Sequence, residues 1–253
     1  MTTPTDPVPA TPTGRPWIWY EPHQDDLALW FPKGAAHHAL AGRDTHLVSA
    51  TDGSTSVIRA ALNGEADNGW WGGYHYPARE GIPAPLSPDD FAAGRDRELL
   101  HAAPQLGIRR ANVHLELGTR GAAITVAQAE ALIRRYEDLY PGAGHYTMHW
   151  LDTDPTHAAL GQALRNLALS EPGTFADCRW VVRTSQAATI PGAVEYVVPA
   201  ALQAQAFHMA RSSAKCFGAW APEQGMYAIG QHSVPADFAA VGAGRSEWIV
   251  KTP

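Results

Sequence analysis

Imidazole and carboxylate side chains lie close together in the run Pro22-His23-Gln24-Asp25-Asp26. His23 and Asp26 are three residues apart, so a helical turn at this point would direct both toward one metal ion while Asp25 points elsewhere. Two metal ligands with a free carboxylate beside them suit hydrolysis. The alternative is that Asp25 or Asp26 only caps a following helix and that His23 is an ordinary polar loop residue.

Apolar runs on either side of this cluster predict the elements that position it. Residues 17–21 are aromatic and β-branched and are followed by Pro22, which predicts a buried strand, and residues 45–50 predict a second strand. Between them, residues 27–40 have the length of a helix. The cluster therefore follows the first strand of a strand–helix–strand unit, and open α/β folds bind their ligands at the carboxyl ends of such strands.

Signals for helix starts recur along the rest of the chain. Ser87 and Thr125 each begin a capping pattern, Asp154 is followed by a proline at the first helical position, and Pro199 can begin a further helix. Helices are predicted over residues 87–104, 125–139, 154–167 and 199–214, and strands over residues 145–149, 180–182 and 194–198. This alternation predicts an α/β fold, a Rossmann-like sandwich with a mainly parallel sheet and helices on both faces.

Two segments depart from this alternation. Residues 1–16 are rich in proline and threonine and predict a disordered arm, which leaves residues 17–253 as a single domain. The loop over residues 63–85 is long and contains Trp70, Trp71 and Tyr74. These rings would either stack against a sugar or cover the end of the core.

Composition excludes several classes of function. The 19 lysine and arginine residues against 25 aspartate and glutamate residues give a net charge of −6, which has the wrong sign for a nucleic-acid partner. No apolar stretch is long enough to span a membrane. Cys178 and Cys216 form no paired motif, so any metal must be held by histidine and carboxylate, and a cytoplasmic location is expected. The sequence does not indicate an oligomeric state.

The chain resembles the LmbE-like or PIG-L-like family of zinc-dependent N-deacetylases, whose hallmark is Pro-His-x-Asp-Asp after the first strand. Further matches follow in the family's order: Thr51-Asp-Gly53, Arg95-x-x-Glu98 and the run from Leu151 to Gly161. The resemblance covers about residues 17–170, and its first motif is much the most specific.

This resemblance implies one Zn²⁺ per chain, held by His23, Asp26 and His157. It implies that Asp25 is the general base for attack by a zinc-bound water. The implied reaction removes an N-acetyl or other N-acyl group from an amino sugar, alone or on a larger metabolite or natural product.

One family position is altered. The second metal-binding segment reads Asp154-Pro-Thr-His157, so Asp154 replaces a histidine that the family uses beside the reacting carbonyl. Asp154 is expected to cap a helix. His232, in a predicted loop after a strand, is the first candidate for the missing acid, and His149, at the end of a strand, is the reserve candidate, although a structural role is the default interpretation of each.

Supporting roles and rival functions complete the expectations. Arg95 and Glu98 are one helical turn apart and predict an ion pair that supports the site. Arg95 is also a candidate substrate contact, and Asp52 either shapes its turn or contacts substrate. A nucleotide-binding Rossmann protein lacks support because no G-x-G-x-x-G follows a strand, and a serine hydrolase lacks its G-x-S-x-G elbow. The serious alternative is a non-catalytic or altered-activity sugar-binding relative.

Overall fold

The computed structural model describes residues 14–67, 73–83, 85–116 and 118–253. Its helices, in chain order, are α1 Asp26–Trp30, α2 Pro32–Leu40, α3 Ile58–Leu62, α4 Pro77–Glu80, α5 Pro88–Gln105, α6 Val126–Leu139, α7 Pro155–Ser170, α8 Ala200–Cys216, α9 Ile229–Ser233 and α10 Pro235–Gly242. Its strands are β1 Gly14–Glu21, β2 Arg43–Ser49, β3 Val113–His114, β4 Gly144–Met148, β5 Cys178–Val182, β6 Val194–Glu195, β7 Trp220–Ala221, β8 Met226–Tyr227 and β9 Trp248–Val250.

Seven strands form one sheet in the order β3-β2-β1-β4-β5-β9-β6. The pairs from β3 through β5 are parallel, whereas β9 runs antiparallel to both β5 and β6. β7 and β8 form a separate antiparallel pair. The predicted α/β fold with a mainly parallel sheet is therefore confirmed.

Alternating side chains of the strands face two separate layers of helices. On β1, Trp17 and Trp19 pack into a core with residues of α1, α2, α5, α8 and α10. Ile18 and Tyr20 pack into the opposite core with residues of α6 and α7. Both faces of the central strand are apolar because both are covered, as expected for a strand in the middle of a parallel sheet.

The predicted helix starts at Ser87 and Thr125 are confirmed by their capping hydrogen bonds. The hydroxyls of Ser87 and Thr125 accept from the N–H groups of Asp90 and Gln128, and each box is closed by the reciprocal side-chain contact. These bonds lie within one turn of each helix, so the local sequence is enough to specify them.

Other boundaries differ from the prediction. Helix 27–40 is two helices, because Pro32 has no N–H to continue the first one and Phe31 before it takes an extended φ of −142°. β1 begins at Gly14, within the segment assigned to the arm, and β6 stops at Glu195. The predicted strand and loop around His232 are instead β8 and the short helix α9.

Among the residues that the structure describes, no helix combines the length and apolar composition needed to cross a membrane.

Candidate functional site

The site lies where the chain changes direction across the sheet. From β1 the chain runs to β2 and β3 on one side, and then returns to β4 and β5 on the other. A crevice forms outside the carboxyl ends of the two strands at such a switch point, here β1 and β4. His23 and Asp26 follow β1, and His157 lies in the first turn of α7, which follows β4. Neighbouring strands thus bring together residues more than 130 positions apart.

A glycine allows α7 to lie close against the end of β4. A Cβ at Gly161 would lie 2.5 Å from the backbone nitrogen of Trp150 and 2.7 Å from the carbonyl oxygen of Met148. The carbonyl of Gly161 also accepts a hydrogen bond of 3.0 Å from Trp180 Nε1 on β5. This close approach sets the position of His157, which lies one turn earlier on the same helix.

Three side chains converge on one point at the base of the crevice. Asp26 Oδ2 lies 3.3 Å from His23 Nδ1 and 3.1 Å from His157 Nε2, and the two imidazole nitrogens are 3.1 Å apart. One donor atom from each residue therefore falls within 4.8 Å of the other two. Asp26 and His157 are buried, while His23 is partly exposed. This is the set of three residues that the family resemblance implies as metal ligands.

Charges around His157 orient its ring. Nδ1 of His157 lies 3.3 Å from Asp152 Oδ2, so Nε2 is turned toward Asp26. Burial lowers the pKa of His157, but the carboxylates of Asp26 and Asp152 outweigh it and raise that pKa to about 10. The two imidazoles hold the pKa of Asp26 well below its ordinary range although burial opposes this. The two carboxylates beside His157 therefore favour positive charge at this point.

Asp25 lies beside the cluster, and one of its carboxylate oxygens is hydrogen-bonded. Its Oδ1 accepts a hydrogen bond of 2.9 Å from Arg95 Nη2, and both side chains are largely buried. No described residue donates a hydrogen bond to Asp25 Oδ2. Gly53 makes room for the guanidinium, because a Cβ there would lie 3.0 Å from Arg95 Cζ, and its φ of +64° also favours glycine.

The predicted ion pair between Arg95 and Glu98 is wrong. Arg95 instead pairs with Asp25. Glu98 is 1% exposed and accepts from the N–H groups of Ile229 and Gly230 at the start of α9. The two side chains leave α5 one turn apart but reach different neighbours, so α5 holds two parts of the site in place.

The cluster opens into a cleft of about 430 Å³. Most of its lining comes from the turns that follow β1, β2, β4 and β5 and from the segment after α9: His23, Asp25, Asp26, Leu29, Trp30, Gly53, Thr55, Ser56, Val57, Arg95, Asp154, His157, Arg183, Ser233, Val234 and Asp237. Val57 at its edge is 81% exposed.

Asp154 is a helix cap, as the sequence predicts. Its Oδ1 accepts from the N–H of Thr156 at 2.8 Å and from the N–H of His157 at 3.2 Å. Position 154, which carries a histidine in the family that the chain resembles, therefore holds a hydrogen-bond acceptor here.

The two histidines predicted as its replacement lie outside the cleft lining. His149 Nδ1 accepts from the N–H of Leu151, and its ring stacks on Trp150. His232 lies on α9, where its Nδ1 is 2.7 Å from the carbonyl oxygen of Ala228, and its ring packs near His75. Burial lowers the pKa of each histidine to about 4, so both are neutral at neutral pH.

The residues predicted to contact substrate differ in whether they line the cleft. Arg95 lines the cleft, whereas Asp52 shapes its turn by accepting from the N–H of Ser54 at 2.8 Å. Tyr74 is 55% exposed and does not belong to the cleft lining. Trp70 and Trp71 lie outside the described residues.

Two residues of the site were missed by the sequence analysis. Asp152 is in the turn between β4 and α7, and Arg183 is the first residue after β5. The available signal was position alone, since both follow the carboxyl end of a predicted parallel strand. The family resemblance assigns neither residue as a metal ligand. Only the strand order shows that both side chains meet at His157.

No protein-family model matches the chain, and no curated protein matches it in sequence. Solved structures do match in fold. A deacetylase of the teicoplanin biosynthetic pathway superposes with a TM-score of 0.57 at 16% identity, covering 94% of this chain and 99% of that one. The chain has the LmbE-like deacetylase fold.

Two further structures match the chain over most of its length. The zinc-inhibited form of the teicoplanin deacetylase Orf2 gives a TM-score of 0.54 at 16% identity, with 94% and 98% of the two chains covered. GalB, a 4-carboxy-2-hydroxymuconate hydratase from Pseudomonas putida, gives a TM-score of 0.55 at 14% identity, with 94% and 95% covered. Because both a hydrolase and a hydratase have the LmbE-like fold, the reaction must be argued from the site.

Proposed function

We propose that this protein is a zinc-dependent N-deacetylase that removes an acyl group from the nitrogen of an amino sugar. The observation that carries the proposal is the convergence of His23, Asp26 and His157 at the base of an open cleft, with Asp25 beside them. This arrangement provides both a metal site and a free carboxylate oxygen within one cavity.

The donor set fits zinc. Two imidazoles and one carboxylate are ligands that zinc accepts, and three protein ligands leave further positions open, as in catalytic zinc sites. A bound zinc ion polarises a carbonyl group and lowers the pKa of coordinated water to about 7. Asp152 supports this fit, because a carboxylate on Nδ1 of His157 keeps Nε2 available for the metal.

The chain's own residues supply the proton transfers. Asp25 Oδ2 accepts a proton as the oxygen of water bonds to the carbonyl carbon of the amide. The C–N bond then breaks, and the proton passes to the departing amine, which gives acetate and a free amino sugar. Arg95 orients Asp25 by holding its other oxygen.

The fold neighbours and the open cleft support a proposal for the substrate class. The neighbours include a deacetylase that acts in teicoplanin biosynthesis. We therefore propose an N-acylated amino sugar, either free or attached to a larger natural product that extends out of the cleft past Val57. The rival function is that of a sugar-binding relative without catalysis, in which Asp154 has replaced the histidine needed for the reaction.

Acetate release distinguishes these two functions. The protein, loaded with one equivalent of zinc, is incubated with N-acetylglucosamine and with a glycopeptide that carries N-acetylglucosamine. One equivalent is used because a fold neighbour has a zinc-inhibited form. Acetate release that stops on chelation and returns with zinc supports the proposal. Binding of either compound with no acetate release at any zinc level would support the sugar-binding relative.

A further inference from the structure

At position 154 the site lacks the histidine that would donate a hydrogen bond to the carbonyl oxygen during amide hydrolysis. Negative charge develops on that oxygen as water adds to the carbon, and a positioned hydrogen-bond donor would share its stabilisation with a bound zinc ion. Asp154 cannot serve, because it already accepts two backbone N–H groups and is therefore an acceptor. His149 and His232 do not line the cleft.

Apart from the histidine ligands, the cationic side chains in the cleft lining are Arg95 and Arg183. Arg95 is buried and directed at Asp25. Arg183 lines the cleft beside His157, and about a quarter of its side chain is exposed to solvent. Arg183 is therefore the better placed of the two to reach a substrate oxygen.

Three contacts hold Arg183 in place. Its Nε lies 3.0 Å from Asp152 Oδ2, its Nη2 lies 3.2 Å from His157 Nδ1, and its guanidinium carbon lies 5.3 Å from the centre of the Trp30 ring. Within residues 14–67, 73–83, 85–116 and 118–253, nothing accepts a hydrogen bond from Nη1. The guanidinium is thus anchored at one end and has donors left over.

The Nη2 group of Arg183, 3.2 Å from Nδ1 of His157, is also available as a donor. When His157 binds a cation through Nε2, its ring proton is on Nδ1 and is donated to Asp152. Nδ1 then cannot accept from Arg183, because arginine and this protonated nitrogen are both donors. The Nη2 group, like Nη1, is therefore left without an acceptor beside the metal site.

We propose that Arg183 is a catalytic residue that donates a hydrogen bond to the acyl oxygen of the substrate, in place of the histidine that Asp154 replaces. The inference rests on the proposed deacetylase function. The same contact should bind a carboxylate oxygen of the product acetate. Because arginine keeps its charge throughout the reaction, Arg183 acts as an oxyanion donor, and the proton for the amine comes from Asp25.

The first test compares Arg183→Met and Arg183→Lys with the parent enzyme. Arg165→Met is the matched control, since Arg165 also lies over a tryptophan, at 4.9 Å from the Trp150 ring, but does not line the cleft. Arg183→Met is expected to lower kcat by about 10² or more, the scale of a lost oxyanion donor, with KM within a few fold. Arg183→Lys, which keeps the charge and loses the planar fork, is expected to recover part of the rate. Arg165→Met is expected to match the parent.

Zinc affinity separates this role from a structural one. If Arg183 only held Asp152 and His157 in place, Arg183→Met would weaken zinc binding by about 10- to 100-fold, and excess zinc would restore activity. The proposal predicts zinc binding as tight as in the parent or tighter, because a positive charge near the site has been removed. Rate loss that follows zinc loss would overturn it.

Acetate binding tests the contact without turnover. Calorimetric titration of the zinc-loaded proteins with sodium acetate should show binding about tenfold weaker or more in Arg183→Met, since a hydrogen bond between charged groups is lost. Equal acetate affinity and a kcat within threefold of the parent would overturn the proposal. The proposal would also be overturned if His232→Ala or His149→Ala lowered kcat by about 10² with zinc retained while Arg183→Met left kcat unchanged. A parent protein that releases no acetate refutes the deacetylase function, while the acetate titration still decides whether Arg183 makes this contact.

Discussion

Glu98 is predicted to make the stability of this protein depend on pH. The buried carboxyl accepts from the N–H of Ile229 at 2.6 Å and from the N–H of Gly230 at 3.1 Å. Burial raises its pKa from the ordinary 4.5 to about 8, although the two N–H groups and Arg95 oppose the shift. Between these values the folded state keeps a proton that the unfolded chain has released, so stability falls as the pH rises through this range.

The size of the effect follows from the difference between the two pKa values. At about 1.4 kcal/mol for each pH unit, the change from 4.5 to about 8 amounts to at most about 5 kcal/mol between pH 4.5 and pH 8. Glu98→Gln removes this titration. It also turns an amide N–H₂ group toward one of the two backbone N–H groups, which should cost about 1 to 3 kcal/mol at every pH.

Urea unfolding of the parent and of Glu98→Gln at pH 5 and pH 8 measures both effects. The variant should be less stable than the parent at pH 5, and this gap should shrink or reverse at pH 8. Titration of other buried groups is shared by both proteins and cancels in the comparison. Glu223→Gln, an exposed glutamate close to the same segment, is the control and should follow the parent. A gap of the same size at both pH values would refute the reasoning.

Four further outcomes are expected. Alanine in place of His23 or His157 should abolish stoichiometric zinc binding in elemental analysis of protein purified without chelators, and full metal content in both variants would contradict the ligand assignment. Asp25→Asn should keep the metal but lose about 10² to 10⁴ of the turnover rate, because an amide cannot accept the proton; activity within a few fold would place the base elsewhere. Asp154→Ala should lower the free energy of unfolding by about 1 kcal/mol while Asp154→Asn, which can still cap, stays near the parent in urea unfolding. Gly161→Ala should cost about 1 to 3 kcal/mol in the same assay, since its Cβ would clash with the backbone before α7, and an unchanged midpoint would show that the helix can shift.

The sequence by itself determined the features that depend on neighbours along the chain. Ser87, Thr125 and Asp154 start their helices through hydrogen bonds to groups two or three residues away, so each start is readable locally. The alternation of apolar strands and helices likewise required a covered parallel sheet. The spacing of His23 and Asp26 already indicated that one turn would direct both at the same point.

Tertiary structure alone decided which distant groups meet. Arg95 has Glu98 one turn away, yet it pairs with Asp25, 70 positions earlier, because α5 packs beside the turn after β1. Arg183 reaches His157 only because β5 lies next to β4. His232 does not line the cleft, and its ring on α9 packs near His75. Strand order and helix packing fix such contacts through the burial of whole faces, whereas the residues adjacent to Arg95 or Arg183 in the chain do not specify its distant partner.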